Sequence, residues 1–125
     1  MFRIAICDDE SLFAEELKEL LADYLMEKGL VFEIDTYSSG EALVKLGIEV
    51  IRYTAVFLDI NMEKIDGIKA AEKIREVSRE VFIVFVTAHV NYSLEGYRLD
   101  AVRYLLKSNT NFSSTVNECV DALMD

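Results

Sequence analysis

Short apolar segments alternate along this chain with segments whose apolar residues recur at helical spacing, and this alternation strongly constrains the fold. The strand-like segments are Phe2–Cys7, Val31–Tyr37, Thr54–Leu58, Val81–Val86 and Val102–Leu106. Strands that alternate with helices pair in parallel through right-handed crossovers. A strand that is apolar throughout, such as Val81–Val86, needs helices on both of its faces. The sequence therefore predicts an α/β fold, a doubly wound three-layer sandwich around a five-stranded parallel sheet.

Five helices are predicted between and after these strands. The first ends at Gly29, because glycine readily adopts the left-handed conformation that closes a helix. Ser38 and Glu41 are spaced as a capping box, which predicts the start of a second helix that stops near Gly47. The other three are predicted at Gly67–Val77, Asn91–Leu99 and Phe112–Leu123. No repeat, low-complexity segment or linker interrupts the pattern, so we expect a single domain over residues 1–125.

The charge of the chain argues against several classes of function. It has 13 basic and 23 acidic side chains and a net charge of −10, so we expect it to bind neither nucleic acids nor an anionic membrane surface. No apolar run is long enough to span a bilayer, and Phe2–Cys7 is too short for the core of a secretory signal. Cys7 and Cys119 lie in apolar segments and are expected to be buried, reduced thiols, which suits a cytoplasmic protein.

Polar side chains follow four of the five predicted strands, at the point where each strand ends. They are Asp8, Asp9, Asp59, Thr87 and Lys107. Sites in doubly wound sheets form at the carboxyl ends of the strands, so in the flavodoxin-like strand order 2-1-3-4-5 these side chains would converge on one pocket. Each has an ordinary structural explanation by itself, such as a stabilised helix N-terminus or a turn. Their joint occurrence favours a functional site.

Three carboxylates in one pocket need a cation or a proton, since two like charges about 4 Å apart repel by roughly 4 kcal/mol at an effective dielectric near 20. Oxygen ligands without histidine or thiolate suit a hard ion, above all Mg²⁺. With one lysine and one hydroxyl, the set is typical of phosphoryl transfer in which a carboxylate attacks in line. The sequence has no glycine-rich phosphate loop, so the donor must bring its own activated phosphoryl group.

The segments that carry these residues resemble the response regulator receiver domains of two-component systems. They are Ile4–Glu10, Phe57–Met62 with Asp66-Gly67, Val84–Ala88 and Tyr104–Lys107. The resemblance covers the whole chain. Thr87-Ala88-His89, Tyr92 and Asp100–Lys107 are most similar to receivers attached to LytTR-type DNA-binding domains. This implies a transcriptional output domain, which we expect to be absent from this chain.

The resemblance implies a phosphoacceptor and a metal site. Asp59 would accept a phosphoryl group from the phosphohistidine of a sensor histidine kinase. Asp9 and Asp59 would bind Mg²⁺ directly, together with the backbone carbonyl of Asn61. Asp8 would act mainly through metal-bound water, and Mn²⁺ is expected to substitute for Mg²⁺.

The resemblance also implies a switch. Lys107 would pair with Asp59 and then with its phosphoryl group, while the small Ala88 leaves a phosphoryl oxygen within reach of the backbone amide. Thr87 would turn its hydroxyl onto the phosphoryl group, and Tyr104 would swing inward behind it. This would reshape the face formed by the fourth helix, fifth strand and fifth helix. The resemblance implies that phosphorylated receivers form homodimers through this face.

Two positions depart from the family pattern. Ser108 follows Lys107 where the family usually has a proline in a cis peptide. A cis bond to a non-proline residue costs about 3–4 kcal/mol, so a trans bond with a rebuilt loop through Ser108–Asn111 is expected, and the placement of Lys107 stays open. Glu63 follows Met62 where many relatives have proline, which predicts a more mobile loop.

Three functions remain open on this basis. The leading hypothesis is a signalling module that catalyses only its own Mg²⁺-dependent phosphorylation and dephosphorylation. A metal-dependent phosphohydrolase would need a second acid two residues after the nucleophile, where this chain has Asn61. A pseudo-receiver that takes no phosphate is disfavoured by the complete set of acids with Thr87 and Lys107, while Ser108 keeps it open.

Overall fold

The computed structural model describes residues 1–88 and 103–124, and a sheet of five parallel strands organises them. The strands are β1 (Phe2–Cys7), β2 (Phe32–Tyr37), β3 (Ala55–Asp59), β4 (Phe82–Thr87) and β5 (Arg103–Leu106). Their order is β2-β1-β3-β4-β5, and each neighbouring pair is parallel. The predicted α/β class, the doubly wound topology and the strand order are confirmed.

Helices occupy the connections that the structure describes between these strands, and one more follows β5. In the described ranges they are α1 (Ser11–Glu27), α2 (Gly40–Val44), a 3₁₀-helix (Gly47–Arg52), α3 (Gly67–Val77) and the C-terminal helix (Phe112–Met124). The predicted fourth helix, Asn91–Leu99, lies outside the described residues, as do His89 and Tyr92. None of the described helices combines the length and apolar character needed to cross a membrane.

The sheet separates two apolar cores. Ile4 and Ile6 of β1 face a core shared with α1 and the C-terminal helix, whereas Ala5 and Cys7 face a core shared with α2 and α3. This follows from the two-residue period of a strand. Cys119 belongs to the first core, so the two cysteines lie on opposite faces of the sheet. Both are buried free thiols, as predicted.

Two helix ends show how far local signals predict the structure. Gly29 follows α1 with a φ of +73°, the left-handed conformation expected of a glycine at a helix C-terminus. The predicted capping box of Ser38 and Glu41 is wrong by one residue. The cap of α2 is Ser39, whose hydroxyl accepts the Ala42 N–H at 3.1 Å. Two consecutive serines offer the same hydroxyl, so the pattern alone does not identify which one caps the helix.

Candidate functional site

Three polar side chains are buried together at the carboxyl end of the sheet. Asp8 directly follows β1, and Asp59 and Thr87 are the last residues of β3 and β4. Their exposed fractions are 4%, 3% and 0%, and within residues 1–88 and 103–124 they are the buried polar or charged residues. The structure therefore places these predicted site residues at adjacent strand ends, where water does not satisfy their charges and hydrogen bonds.

Asp59 is held in position by the start of α3. A side chain at Gly67 would collide with the backbone of Asp59 and Ile60, so glycine allows the helix to pack directly against the end of β3. The Gly67 N–H donates to the Ile60 carbonyl at 2.9 Å. Asp66 caps the same helix by accepting the Lys69 N–H at 2.9 Å. The Asp66-Gly67 pair thus fixes the backbone beneath the carboxylate.

Lys107 brings a cation to these acids. Its Nζ lies 3.0 Å from Asp8 Oδ2 and 3.5 Å from Asp59 Oδ2. Its backbone N–H donates to the Thr87 carbonyl at 2.9 Å, which joins the residue to the end of β4. The Lys107–Ser108 bond is trans, since the described residues contain no cis peptide. The predicted trans bond is confirmed, and the lysine reaches the acids without the family's proline.

The electrostatics of Asp59 reflect a shortage of positive charge. Burial and the nearby Asp8 carboxylate raise the pKa of Asp59 to about 7, although Lys107 and the backbone N–H of Asn61 act in the opposite direction. That N–H donates to Asp59 Oδ1 at 3.3 Å. Burial lowers the pKa of Lys107, but hydrogen bonds to Glu10 and Asp8 outweigh this and raise it. A further cation would stabilise the ionised form of Asp59.

Glu10 is a member of the site that the sequence pattern does not single out. Its Oε1 lies 2.6 Å from Lys107 Nζ. Carboxylate oxygens of Asp8, Glu10 and Asp59 all lie within 4.8 Å of one another. An all-oxygen set of this kind is chemically suited to a hard divalent cation. The signal that could have indicated Glu10 is its place in the acidic run that follows β1.

Aromatic rings close the side of the pocket next to Lys107. The ammonium lies 4.5 Å from the centroid of the Phe13 ring, on α1. Phe13 packs edge-to-face against Phe112, the first residue of the C-terminal helix, with 5.4 Å between their centroids. A cation over an aromatic face is stabilised by the ring quadrupole. The lysine is therefore positioned by α1 as well as by the acids.

Residues 4–114 match the family model of the response regulator receiver domain. The chain belongs to the response regulator receiver family. Receiver domains are the signalling domains of two-component systems, where they interact with sensor kinases, and they are generally not catalysts of other reactions. The family assigned from the sequence is confirmed.

Curated relatives of this receiver domain are considerably longer proteins. It is 31% identical to the transcriptional regulatory protein YpdB of Escherichia coli K12 over 105 residues, covering 84% of this chain and 41% of YpdB. It is 37% identical to the sensory transduction protein LytR of Staphylococcus haemolyticus over 102 residues, covering 82% and 38%. The receiver domain thus spans about two fifths of the length of these relatives. The LytR relative confirms the predicted similarity to LytTR-type regulators.

Solved structures share the fold over nearly the whole receiver domain. The response regulatory domain of MrkE from Klebsiella pneumoniae has a TM-score of 0.84 at 28% identity, covering 98% of this chain and 95% of that one. The response regulator TrrA of Thermotoga maritima, solved in complex with Mg²⁺–BeF, has a TM-score of 0.73 at 34% identity, covering 98% and 99%.

Three other predicted residues of the receiver domain lie around the buried group rather than in it. Asp9 is exposed and lines a cavity of about 190 Å³ together with Met62. Ala88 is exposed directly after Thr87. Tyr104 is half-buried, and its ring packs against Phe85 with 5.3 Å between centroids. Their predicted roles in metal binding, phosphoryl contact and switching are therefore argued below as proposals.

Proposed function

We propose that Asp59 is the phosphoacceptor of this receiver domain and takes its phosphoryl group from the phosphohistidine of a sensor histidine kinase. The observation that supports this is the burial of the Asp59 carboxylate at the end of β3 with a lysine ammonium 3.5 Å away. A carboxylate oxygen would bond to phosphorus as the phosphorus–nitrogen bond of the donor breaks. Lys107 would offset the negative charge on the phosphoryl oxygens, which is the main catalytic requirement of such a transfer.

The proposed reaction depends on Mg²⁺, held by Asp59 and Asp9 directly, by the Asn61 carbonyl, and by Asp8 mainly through water. The buried carboxylates of Asp8 and Asp59 and the raised pKa of Asp59 support a cation in this pocket. A bound divalent ion would neutralise part of the charge that builds up around the transferring group. The Mg²⁺–BeF complex of the similar TrrA receiver supports the same choice, and Mn²⁺, which also prefers oxygen ligands, should substitute.

The proposed response to phosphorylation is a movement of Thr87 and Tyr104. Thr87 is fully buried and directly follows Val86, the residue that pairs with Asp59 between β4 and β3. Its hydroxyl would turn onto a phosphoryl oxygen, while the amide of Ala88 would donate to another. Tyr104 would then swing inward and reshape the face around β5, favouring a homodimer. The name of the relative YpdB, a transcriptional regulatory protein, supports control of transcription as the output, in the cytoplasm.

Intact-mass measurement tests the phosphoacceptor. Incubation with Mg²⁺ and acetyl phosphate should add one phosphate to the wild type and none to Asp59→Asn. Asp23→Asn, an exposed substitution on α1, should label like the wild type. Equal labelling of Asp59→Asn and the wild type would disprove the assignment. A wild type that neither labels nor binds beryllofluoride would indicate a pseudo-receiver, and steady turnover of a phosphomonoester would indicate a phosphohydrolase.

A further inference from the structure

The shortest ion pair of Lys107 is with Glu10 and not with either buried acid. The Nζ–Oε1 distance is 2.6 Å, against 3.0 Å to Asp8 and 3.5 Å to Asp59. The lysine side chain is 11% exposed and that of Glu10 is 65% exposed. Glu10 therefore contacts the ammonium from the solvent side, while the two aspartates contact it from inside the protein.

The backbone around Glu10 directs this contact. Glu10 occupies the N-cap position of α1, yet its side chain makes no capping hydrogen bond and pairs with Lys107 instead. Its own N–H donates to Asp8 Oδ1 at 2.9 Å, and its carbonyl accepts the Ala14 N–H at 3.0 Å. The residue is thus anchored at both ends of its backbone. Together with Phe13, it positions the ammonium from the first turn of α1.

The number of donors limits what Lys107 can do in this arrangement. An ammonium has three N–H donors and no acceptor, and three carboxylates already surround it. A phosphoryl group on Asp59 would bring further acceptors to the same ammonium. Asp8 and Asp59 are buried and depend on the lysine for their pairing, whereas Glu10 is exposed and can be solvated by water. Of the three carboxylates, Glu10 therefore loses the least stabilisation when the lysine moves away from it.

We propose that Glu10 is a positioning residue that holds Lys107 in the unphosphorylated receiver domain and releases it when Asp59 is phosphorylated. This inference rests on the proposed phosphorylation of Asp59. Glu10 competes with the phosphoryl group for the same ammonium, so neutralising its charge should speed phosphorylation. A ligand of the metal would have the opposite effect, because its loss weakens Mg²⁺ binding and slows the reaction.

The test compares Glu10→Gln with Glu16→Gln. Both remove one negative charge from the start of α1, but among the described residues Glu16 makes no ion pair. Gln keeps the shape of the side chain and no capping bond is lost, so Glu10→Gln should fold, which a thermal melt checks. The first readout is the ¹⁵N–¹H signal of the Lys107 ammonium in metal-free protein. The second is the labelling rate with acetyl phosphate at saturating Mg²⁺, together with the Mg²⁺ dissociation constant.

The proposal expects Glu10→Gln to shift the Lys107 signal and to speed its exchange with water, whereas Glu16→Gln leaves it unchanged. Labelling at saturating Mg²⁺ should be about three-fold faster than in Glu16→Gln, the size expected for an ion pair with one exposed partner. The Mg²⁺ affinity should fall only slightly, because the Glu10 charge is exposed to water. An unchanged Lys107 signal, or labelling no faster than in Glu16→Gln, would overturn the role of Glu10. Weaker Mg²⁺ binding with slower labelling would overturn it in favour of a metal ligand.

These outcomes separate the two proposals. If the wild type labels on Asp59 but Glu10→Gln gains no rate, the phosphoacceptor stands and the role of Glu10 is rejected. If the wild type does not label at all, both are rejected, whatever the Lys107 signal shows.

Discussion

Asp8 and Lys107 form an ion pair with 3.0 Å between Oδ2 and Nζ, although only 3% of the Asp8 side chain and 11% of the Lys107 side chain are exposed. Breaking a buried pair is costly because the remaining charge has lost its partner. In this pocket, the charges left without Lys107 would be carboxylates. The lysine therefore has two effects. It neutralises part of the negative charge of the acids, and it thereby lowers the negative charge that would attract a metal ion.

Replacing Lys107 by Met should consequently tighten Mg²⁺ binding even as it impairs phosphorylation. Removing one positive charge near a divalent ion favours its binding by at least about 1 kcal/mol, or roughly five-fold or more in dissociation constant. Lys107→Arg keeps the charge and should bind Mg²⁺ about as tightly as the wild type. Isothermal titration of the three proteins checks this, and weaker binding by Lys107→Met would contradict the arrangement of charges described here.

The stability of the metal-free protein should depend on pH through Asp59. The pKa of Asp59 is about 7 in the folded chain, well above its ordinary value of about 4. Between these values the folded chain binds more protons than the unfolded chain, so the free energy of unfolding falls as pH rises. Asp59→Asn has no such loss. Its stability relative to the wild type should therefore increase between pH 4 and pH 8, by up to roughly 4 kcal/mol.

Urea unfolding in the presence of EDTA at a series of pH values measures this advantage. Asp23→Asn, exposed on α1, should differ from the wild type by an amount that does not change with pH. Adding Mg²⁺ at pH 8 should reduce the advantage of Asp59→Asn, because the ion stabilises the charged carboxylate. If the difference in the free energy of unfolding between Asp59→Asn and the wild type stays constant from pH 4 to 8, Asp59 is not the source of the pH dependence.

Both thiols should resist labelling in the native protein. Burial, together with the nearby charges of Asp8 and Asp59, raises the pKa of Cys7 to about 12. Burial raises the pKa of Cys119 to about 11. Since the thiolate is the reactive form, an aromatic disulfide reagent at pH 8 should label them at least about a hundred-fold more slowly than in denaturant. Cys119→Ala assigns the signals, and rapid native labelling of either thiol would contradict its burial.

Tyr53 should stabilise the chain between the 3₁₀-helix and β3. Its hydroxyl donates to Asp35 Oδ2 at 2.6 Å, lies 2.6 Å from the Tyr37 hydroxyl and accepts from Arg52 at 3.1 Å. The Tyr53 side chain is itself buried. Tyr53→Phe removes the hydroxyl that these partners share, so the free energy of unfolding should fall by about 1–2 kcal/mol.

Tyr24→Phe is the matched control for this substitution. The Tyr24 hydroxyl donates an exposed hydrogen bond to Asp121 at 2.7 Å, and water can replace it. Its loss should cost about 0.5 kcal/mol or less. Equal losses from the two tyrosines in urea unfolding would show that the Tyr53 hydroxyl is not an important stabilising group.

The positions of Asp59 and Thr87 could be predicted because they depend only on the direction of the strands and on where each strand ends. Once apolar strands alternate with helices, the strands run parallel and their carboxyl ends lie at the same edge of the sheet. The polar residues that end β1, β3 and β4 must then meet. The boundaries of Phe2–Cys7 and of Gly67–Val77 were likewise predictable, because charged or turn residues flank the periodic segments on both sides.

The position of Glu10 could not be predicted in the same way. It depends on the angle at which α1 leaves β1 and on the side-chain rotamer that reaches Lys107, and neither follows from residue spacing. The choice of Ser39 over Ser38 as the cap of α2 is a similar case, since it depends on where the backbone turns. The reach of Lys107 also required the structure, because Ser108 occupies the position where the resemblance to the family leads us to expect a proline.

The burial of β3 on both faces has a mechanical consequence. All five residues of this strand are buried, and it lies at the centre of the sheet between β1 and β4. A strand packed on every side is stiff, so Asp59 provides a fixed platform for an added group. β5, by contrast, is a four-residue edge strand that is only partly buried. We expect displacement to accumulate at that edge, which only one strand, β4, separates from β3.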